Sequence, residues 1–140
     1  MAKIKHIQLK VSDRLQSAAI YEKIFGFERT DERRTRDDHN TVHLADGTID
    51  LAFSQYDEGS AEATMHGDGP KIGHFGIEVD DIDECVSLLA EHKCEFLTPK
   101  GALPVKFKIP GVGGIVEIGP VGFFKHPRDP QFKKDMLKKA

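Results

Sequence analysis

Two histidines and two carboxylates recur at matching places along the chain and together could hold a metal ion. His6 precedes Asp50 by 44 residues, and His74 precedes Glu117 by 43 residues. Each carboxylate stands between apolar neighbours, and in a strand those neighbours point to the opposite face. Such a carboxylate is costly to bury unless it is paired or bound to a metal. Imidazole and carboxylate ligands suit Zn, Ni, Co, Mn or Fe(II), and two histidines with one carboxylate form the facial triad of non-heme iron oxygenases.

An internal repeat relates these residues to one another. Residues 5–13 read KHIQLKVSD and residues 73–81 read GHFGIEVDD, so that His, Val and Asp return at an offset of 68 positions. Both segments alternate polar and apolar residues with period two, which predicts half-buried strands. His6 and His74 then lie on the polar faces of these strands. A pseudo-twofold axis between two such halves would bring both histidines and both carboxylates to one point.

Each copy of the repeat is predicted to fold as a βαβββ module. Helix caps are available at Ser12 or Asp13 for a helix over about 14–25, and at Asp80 or Asp81 for a second over about 82–93. Three short strands follow each helix, near 27–35, 40–45 and 48–55 in the first copy and near 95–98, 104–109 and 114–119 in the second. The helices are expected to pack on the apolar faces of their strands.

The chain is expected to contain one domain over residues 1–128, followed by a helical tail at 129–140. The domain divides into module one at 3–55, a linker at 56–71 that is rich in Gly, Ala, Ser and Asp, and module two at 72–120. Cys85 and Cys94 both fall in or at the end of the second helix, roughly 13 Å apart along its axis. That separation is too long for a disulfide, so both are predicted to be reduced packing residues.

The composition narrows the class of protein. Hydrophobic residues make up 39% and charged residues 31% of the chain, a balance that allows a core and is too polar for a membrane protein. No apolar run reaches the roughly 18–20 residues that a membrane span needs. The N-terminus has no apolar segment of the signal-peptide type, which predicts a cytoplasmic location. A net charge of −3 argues against nucleic acid as a partner.

Several segments resemble one protein superfamily. Residues 6–13, with Tyr21 and the FGFE of residues 25–28, resemble the opening of vicinal-oxygen-chelate proteins, the superfamily of glyoxalase I, bleomycin-resistance proteins and extradiol dioxygenases. Residues 73–82 resemble the opening of the second module in these proteins. Residues 114–118 resemble the strand that carries their last metal ligand.

The resemblance spans about residues 3–120 and implies an α+β fold. Two tandem βαβββ modules would form a cupped mixed sheet, with helices on the outer face, around one divalent metal ion and usually in a homodimer. The implied metal ligands are His6, His74, Glu117 and Asp50. The VDDI segment at 79–82 and Gly113-Gly114 also resemble methylmalonyl-CoA epimerases. Those enzymes and glyoxalase I typically have Glu or Gln where this chain has Asp50.

Two enzymatic functions and one binding function remain open. In the favoured one, a glyoxalase-type lyase or isomerase, a carboxylate removes a proton next to a carbonyl or thioester and the metal stabilises the enediolate. Glu117 is the first candidate for this base and Asp50 the second. In an Fe(II) extradiol-type dioxygenase, His6, His74 and Glu117 would bind iron and Asp50 would have no role. The third possibility, a bleomycin-resistance type of drug-binding protein, is disfavoured because such proteins lack the metal ligands.

Strand alternation also predicts which further residues share the face of the candidate metal ligands and which face water. The face of His6 and Asp50 is expected to include Gln8, Lys10, Thr48, Ala52 and Ser54. Lys106 and Lys108 are expected to face water; if they face inward instead, the small-molecule substrate is anionic. The histidines without a repeat partner are predicted to be surface or loop residues: His39, His43, His66, His92 and His126.

Overall fold

A computed structural model describes residues 2–124, and these form eight strands and three helices in the order of two βαβββ units. The first unit contains β1 (Lys3–Lys10), α1 (Arg14–Phe25), β2 (Glu28–Thr35), β3 (His39–Ala45) and β4 (Asp50–Tyr56). The second contains β5 (Lys71–Val79), α3 (Ile82–Glu91), β6 (Glu95–Phe96), β7 (Val105–Lys108) and β8 (Ile115–Pro120), and α2 (Ala61–His66) lies between the units. The predicted tail helix at 129–140, the domain boundary at 128 and His126 lie outside the described residues.

All eight strands belong to one mixed sheet with the order β2-β3-β4-β1-β5-β8-β7-β6. The first strands of the two units, β1 and β5, pair antiparallel at its centre. Each is flanked by the last strand of its own unit, since β1 pairs parallel with β4 and β5 pairs parallel with β8. The sheet therefore has the symmetry of a repeat, which confirms the α+β fold predicted from the sequence.

The helix boundaries follow from their caps. The Asp13 carboxylate accepts hydrogen bonds from the backbone N–H groups of Leu15 and Gln16, and α1 ends where Gly26 adopts a φ of 69°. The Asp81 carboxylate caps α3 in the same way. The linker predicted at 56–71 contains a short helix that the sequence did not indicate, α2, which Ser60 caps. Six residues without an apolar stripe leave no helical period to detect.

The apolar residues form two clusters, one for each module. The first consists of the buried residues Ala18, Val42, Leu44 and Phe53. The second consists of Val79, Val105, Phe107 and Ile118. Full burial of a Val, Leu, Ile or Phe side chain contributes about 1.5–3 kcal/mol. Cys85 and Cys94 are reduced and pack against the second cluster, as predicted.

Strand alternation places the polar residues opposite these clusters. On β3, for example, Val42 and Leu44 lie in the core, whereas His43 points to the other side. The sheet thus has one apolar face and one polar face. Among the helices of residues 2–124, none has the length and hydropathy of a membrane-spanning segment.

Candidate metal centre

The pairing of β1 with β5 brings the two repeat histidines together. His6 pairs with Gly76, and Gln8 pairs with His74. The repeat offset of 68 residues relates His6 to His74 and Gln8 to Gly76, so each pair is the repeat equivalent of the other. The pseudo-twofold axis therefore passes between Ile7 and Phe75, which lie midway and pair with each other. His6 and His74 therefore lie diagonally across the axis on the same face of the sheet.

Three side chains converge beside this axis. The ligand atoms of His6, His74 and Glu117 all lie within 4.8 Å of one another. His6 Nε2 lies 3.1 Å from His74 Nε2, and Glu117 Oε1 lies 3.6 Å and 3.3 Å from these two nitrogens. Donors bound to one metal at about 2.1 Å stand roughly 3.0–3.4 Å apart. The three residues thus fit a single divalent ion, and each is less than a tenth exposed.

The protonation states of His74 and Glu117 also favour the binding of a metal ion. Burial lowers the pKa of His74 below its usual value of 6.5, although Glu117 acts in the opposite direction. A neutral imidazole is the form that binds a metal. Burial alone would raise the pKa of Glu117, but the hydrogen bond and charge of His74, together with His6 and Lys106, lower it overall. Glu117 is therefore an ionised carboxylate at neutral pH.

Asp50 lies beside the three residues, and its carboxylate accepts hydrogen bonds from two histidines. His6 Nδ1 donates to Oδ2 over 2.7 Å, and His43 Nδ1 lies 2.9 Å from Oδ1. Burial would raise the pKa of Asp50, but the hydrogen bonds from His43 and His6 lower it well below its usual range. An ionised Asp50 can only accept, so Nδ1 of each ring carries the proton. His6 Nε2 then presents its lone pair to His74 and Glu117, which is the usual support for a metal-binding histidine.

The register of the parallel strands explains why Asp50 and Glu117 occupy different places. Asp50 pairs with His6, whereas Glu117 pairs with Gly76, two residues beyond His74. Gln8, the repeat equivalent of Gly76, pairs with Ala52. The structural counterpart of Glu117 is therefore Ala52. Asp50 and Glu117 follow their histidines at similar spacings in the sequence, 44 and 43 residues. In the sheet, however, the two carboxylates occupy positions that the repeat does not relate.

An aromatic ring covers the centre on one side. Phe124 stacks on His6, with ring centroids 5.3 Å apart and planes 6° apart. Space for this ring depends on Gly76, where a Cβ atom would lie 2.7 Å from both His6 Cβ and Phe124 Cζ. A side chain at this position would therefore displace the ring or the histidine.

The three residues lie in a cavity of about 760 Å³. Gln8, Ala52 and Ser54 line it as expected from alternation, and Lys106 lines it although it was expected to face water. Lys106 is 8% exposed because it pairs with Glu117 across β7 and β8. The other polar lining residues include Thr30, Arg33, Thr35, Arg36, Thr41 and Tyr56. Lys10, Thr48 and Lys108 are not among the lining residues.

The prediction that the unpaired histidines lie on the surface or in loops is wrong for two strand residues. His43 and His39 are on β3 and line the cavity. His39 Nδ1 lies 2.6 Å from Asp38 Oδ1, and its ring contacts Tyr56 in a tilted arrangement with centroids 4.5 Å apart. His66, the last residue of α2, contacts the same tyrosine. The alternation of Thr41 and His43 with the apolar Val42 and Leu44 was the signal that could have placed His43 on the polar face, and His39 shares the parity of these polar residues.

Solved structures of similar fold include both an uncharacterised protein and epimerases. The hypothetical protein BH1468 from Bacillus halodurans C-125 aligns with a TM-score of 0.72 and 17% identity over 90% of this chain and 99% of its own. Methylmalonyl-CoA epimerase from Mycobacterium tuberculosis aligns with a TM-score of 0.68 and 17% identity over 94% and 91% of the two chains. A methylmalonyl-CoA epimerase in complex with methylmalonyl-CoA and NH4+ aligns with a TM-score of 0.65 and 13% identity over 91% and 99%.

At these identities the structures establish a shared fold and no more. No curated protein matches the sequence. A family model, described as Glyoxalase/Bleomycin resistance protein/Dioxygenase superfamily, matches residues 3–106. This match covers most of the chain and includes both repeat histidines. The protein therefore belongs to the glyoxalase, bleomycin-resistance and dioxygenase superfamily.

Proposed function

We propose that this protein is a metal-dependent lyase or isomerase that moves a proton on a carbon next to a carbonyl or thioester. The observation that carries the proposal is the pair formed by His43 and Asp50. It places an imidazole on the cavity wall next to the three candidate metal ligands. A base beside a metal site is the arrangement that this chemistry requires.

The three candidate ligands His6, His74 and Glu117 would hold the ion. A divalent ion, when bound, supplies positive charge that stabilises negative charge developing on two neighbouring oxygens of the substrate. Asp50 fixes the ring of His6 through the hydrogen bond to Nδ1. These residues would hold the ion and orient the site. Proton transfer would not require any of them to break its contact with the ion or its hydrogen bond.

His43 is the residue best suited to accept the proton. Its Nδ1 donates to Asp50, so the lone pair is on Nε2 of a ring that lines the cavity. Asp50 remains ionised and stabilises the imidazolium that forms when Nε2 takes a proton. Glu117 and Asp50 are weaker bases here, since the pKa of each carboxyl group is lowered by neighbouring histidines. We therefore favour His43 over the two carboxylates suggested by the sequence.

The charge of the cavity supports an anionic substrate. The buried Lys106 and the exposed Arg33 and Arg36 line the cavity. They balance the three carboxylates of the same wall, Asp31, Asp50 and Glu117, so a bound divalent ion would make the site net positive. Positive side chains on the wall raise the local concentration of anions and stabilise them once bound. The epimerases of similar fold include one in complex with methylmalonyl-CoA, which is an anionic thioester. A carboxylate or an acyl thioester of this kind is the substrate class we propose.

Solvent isotope exchange tests the proposal. The metal-loaded protein is incubated in D2O with a panel of 2-oxo acids, 2-hydroxy acids and acyl-CoA thioesters, and deuterium entering the adjacent carbon is measured by mass spectrometry. We expect exchange with at least one anionic member of the panel. His43→Gln should slow it by about 10²–10⁴-fold, the usual contribution of a general base. The matched control, His92→Gln, changes an exposed histidine at the end of α3 and should have no effect.

A second function, ring cleavage by an Fe(II) dioxygenase, is favoured by a different observation. The position equivalent to Glu117 in the first module is occupied by Ala52, so the site contains three candidate protein ligands. Two histidines and one carboxylate are the ligand set of non-heme Fe(II) oxygenases. Oxygen uptake by the iron-loaded protein with catechols, combined with no deuterium exchange on the first panel, would favour this function over the lyase or isomerase.

A further inference from the structure

Side chains on the cavity face of β1, β4 and β3 form rows that run across the strands. The first row contains His6 and Asp50, which pair with each other. In the second row Ala52 pairs with Gln8 on one side and with His43 on the other. Rows on one face of a sheet are two residues apart, which is about 7 Å along the strand. The distance from the candidate metal ligands therefore increases from row to row.

The third and fourth rows are polar. Ser54 pairs with Thr41 in the third row, Tyr56 pairs with His39 in the fourth, and all four side chains line the cavity. Ser54 follows Asp50 by four residues, so its row lies about 13 Å along the strand from the first. The end of the cavity away from the candidate metal ligands is thus lined by hydrogen-bonding groups.

The hydroxyl of Ser54 has no partner in the described part of the chain. Ser54 is 1% exposed, and none of residues 2–124 forms a hydrogen bond with its hydroxyl. The hydroxyl of Thr41 differs, because it lies 3.1 Å from that of Thr35. A buried hydroxyl without a partner opposes folding, and a group that bonds to it removes this penalty. Since Ser54 lines the cavity, a bound molecule can supply that partner.

We propose that Ser54, together with Thr41, forms a hydroxyl-binding subsite, and that the substrate is a polyhydroxylated carboxylate. The inference rests on the proposed function and narrows its substrate class, since an acyl thioester with an apolar acyl chain would leave the Ser54 hydroxyl without a partner. The carboxylate end would lie at the candidate metal ligands and a hydroxyl at the other end would bond to Ser54. Ser54 is thus a specificity-determining residue.

The length of such a substrate fits the separation of the rows. An extended chain gains about 1.2 Å per bond, so a six-carbon hydroxy acid spans about 8 Å between its terminal oxygens. A metal–oxygen bond of about 2.1 Å at one end and a hydrogen bond of about 2.8 Å at the other extend this reach to roughly 13 Å. The last hydroxyl can therefore reach Ser54 from a carboxylate at the first row.

Gluconate and 2-hydroxyhexanoate provide a binding test that does not depend on activity. Both are six-carbon 2-hydroxy acids, but only gluconate carries hydroxyls along the rest of the chain. Each is titrated into the full-length, Mn²⁺-loaded protein by isothermal titration calorimetry. Wild-type protein should bind gluconate about tenfold more tightly, the effect of one or two hydrogen bonds. Ser54→Ala should weaken gluconate binding by about 3–10-fold and leave 2-hydroxyhexanoate binding within about twofold of wild type.

Stability in urea separates a binding role of Ser54 from a structural one. Ser54→Ala should not lower the free energy of unfolding of the ligand-free protein, because the hydroxyl that it removes has no partner within residues 2–124. Thr41→Val should lower it, because the variant leaves the Thr35 hydroxyl without its partner. Ser87→Ala, the matched control, removes an exposed hydroxyl on α3 and should change neither stability nor gluconate binding.

The inference is overturned if the wild-type protein binds gluconate no more tightly than 2-hydroxyhexanoate or binds neither. It is also overturned if Ser54→Ala binds gluconate with wild-type affinity, or if Ser54→Ala destabilises the free protein as Thr41→Val does. Failure of the proposed function gives a different result: no deuterium exchange with any member of the panel, while the preference for gluconate and its dependence on Ser54 remain. Absence of Mn²⁺ binding by the wild-type protein would contradict the metal site and, with it, both proposals.

Discussion

His6 and Asp50 face each other on adjacent parallel strands, and His6 Nδ1 donates to Asp50 Oδ2 over 2.7 Å. This pairing places Asp50 behind the imidazole, on the side away from His74 and Glu117. Removing the carboxylate should therefore act on the centre through the orientation and basicity of His6. Asp50→Ala is expected to reduce metal affinity by about 10–100-fold without removing a ligand atom from the group of three.

Asp50→Asn, compared with Asp50→Ala, separates the charge of the carboxylate from its ability to accept a hydrogen bond. The amide retains one acceptor oxygen but carries no charge, so metal affinity should fall less than in Asp50→Ala. Affinity is measured by competition with a chromogenic chelator, with circular dichroism as the check on folding. If both variants retain the wild-type affinity, Asp50 has no part in positioning His6.

Removal of a direct ligand should have a larger effect. His6→Ala and Glu117→Ala are each expected to abolish the binding of one divalent ion per chain, because each removes one of three converging donors. Metal content is measured by elemental analysis of protein prepared without a histidine tag. His92→Ala, at an exposed position, should keep the full content. Undiminished metal in both ligand variants would rule out the centre.

The stability of the metal-free protein should decrease as the pH falls. The pKa of His74 is lowered in the folded state, so below its usual value of 6.5 the unfolded chain binds more protons and unfolding becomes easier. The lowered pKa values of Glu117 and Asp50 act in the same direction, and their contribution is lost near and below about pH 4. Urea unfolding between pH 8 and pH 4 measures the effect.

His74→Gln separates the two parts of this pH dependence. The variant should lose the decrease that begins near pH 6.5, and it should also lose most of the Glu117 contribution, because His74 is the main cause of the lowered pKa of Glu117. The decrease at lower pH that comes from Asp50 should remain, since His43 and His6 lower the pKa of that carboxyl group. A wild-type protein whose free energy of unfolding stays constant from pH 7 to pH 5 would show that burial of His74 has no such consequence.

Gly76 should tolerate no side chain. A Cβ atom there would meet His6 and Phe124 at 2.7 Å, so Gly76→Ala is expected to destabilise the protein by about 1–3 kcal/mol and to weaken metal binding. Gly113→Ala is the matched control, because a Cβ atom at Gly113 would have no neighbour within 4 Å. Chemical unfolding and chelator competition on both variants test the difference. Equal stability of the two would show that the ring of Phe124 moves aside freely.

We expect the protein to form a homodimer. Ile4 and Ile72, on the two central strands, are each 55% exposed, and Phe75 on β5 is 39% exposed. Large apolar side chains left exposed on central strands are often covered by a partner. Light scattering should give a mass of about twice 15.6 kDa, and Ile72→Lys should shift it toward the monomer. A wild-type mass of 15.6 kDa at micromolar concentration would contradict the dimer.

Much of the architecture was predictable from local patterns. Period-two alternation placed His6 and His74 on the polar faces of two strands, and the repeat placed those strands in equivalent positions. The candidate caps Ser12 or Asp13, and Asp80 or Asp81, marked the starts of the two main helices, because such side chains satisfy free backbone N–H groups. The structure uses Asp13 and Asp81. The same patterns predicted that both histidines and both carboxylates meet at one point. The ligand atoms of His6, His74 and Glu117 do converge, whereas Asp50 lies at Nδ1 of His6.

The register between strands was decided by the tertiary structure. Sequence spacing matched Asp50 to Glu117, but the sheet matches Ala52 to Glu117, because the loops of the two modules differ in length and packing of the apolar face sets which residues pair. The place of His43 beside Asp50 likewise depends on β3 pairing with β4. Local alternation determines which face a side chain occupies, whereas its partners across the sheet follow from contacts between segments that lie far apart in sequence.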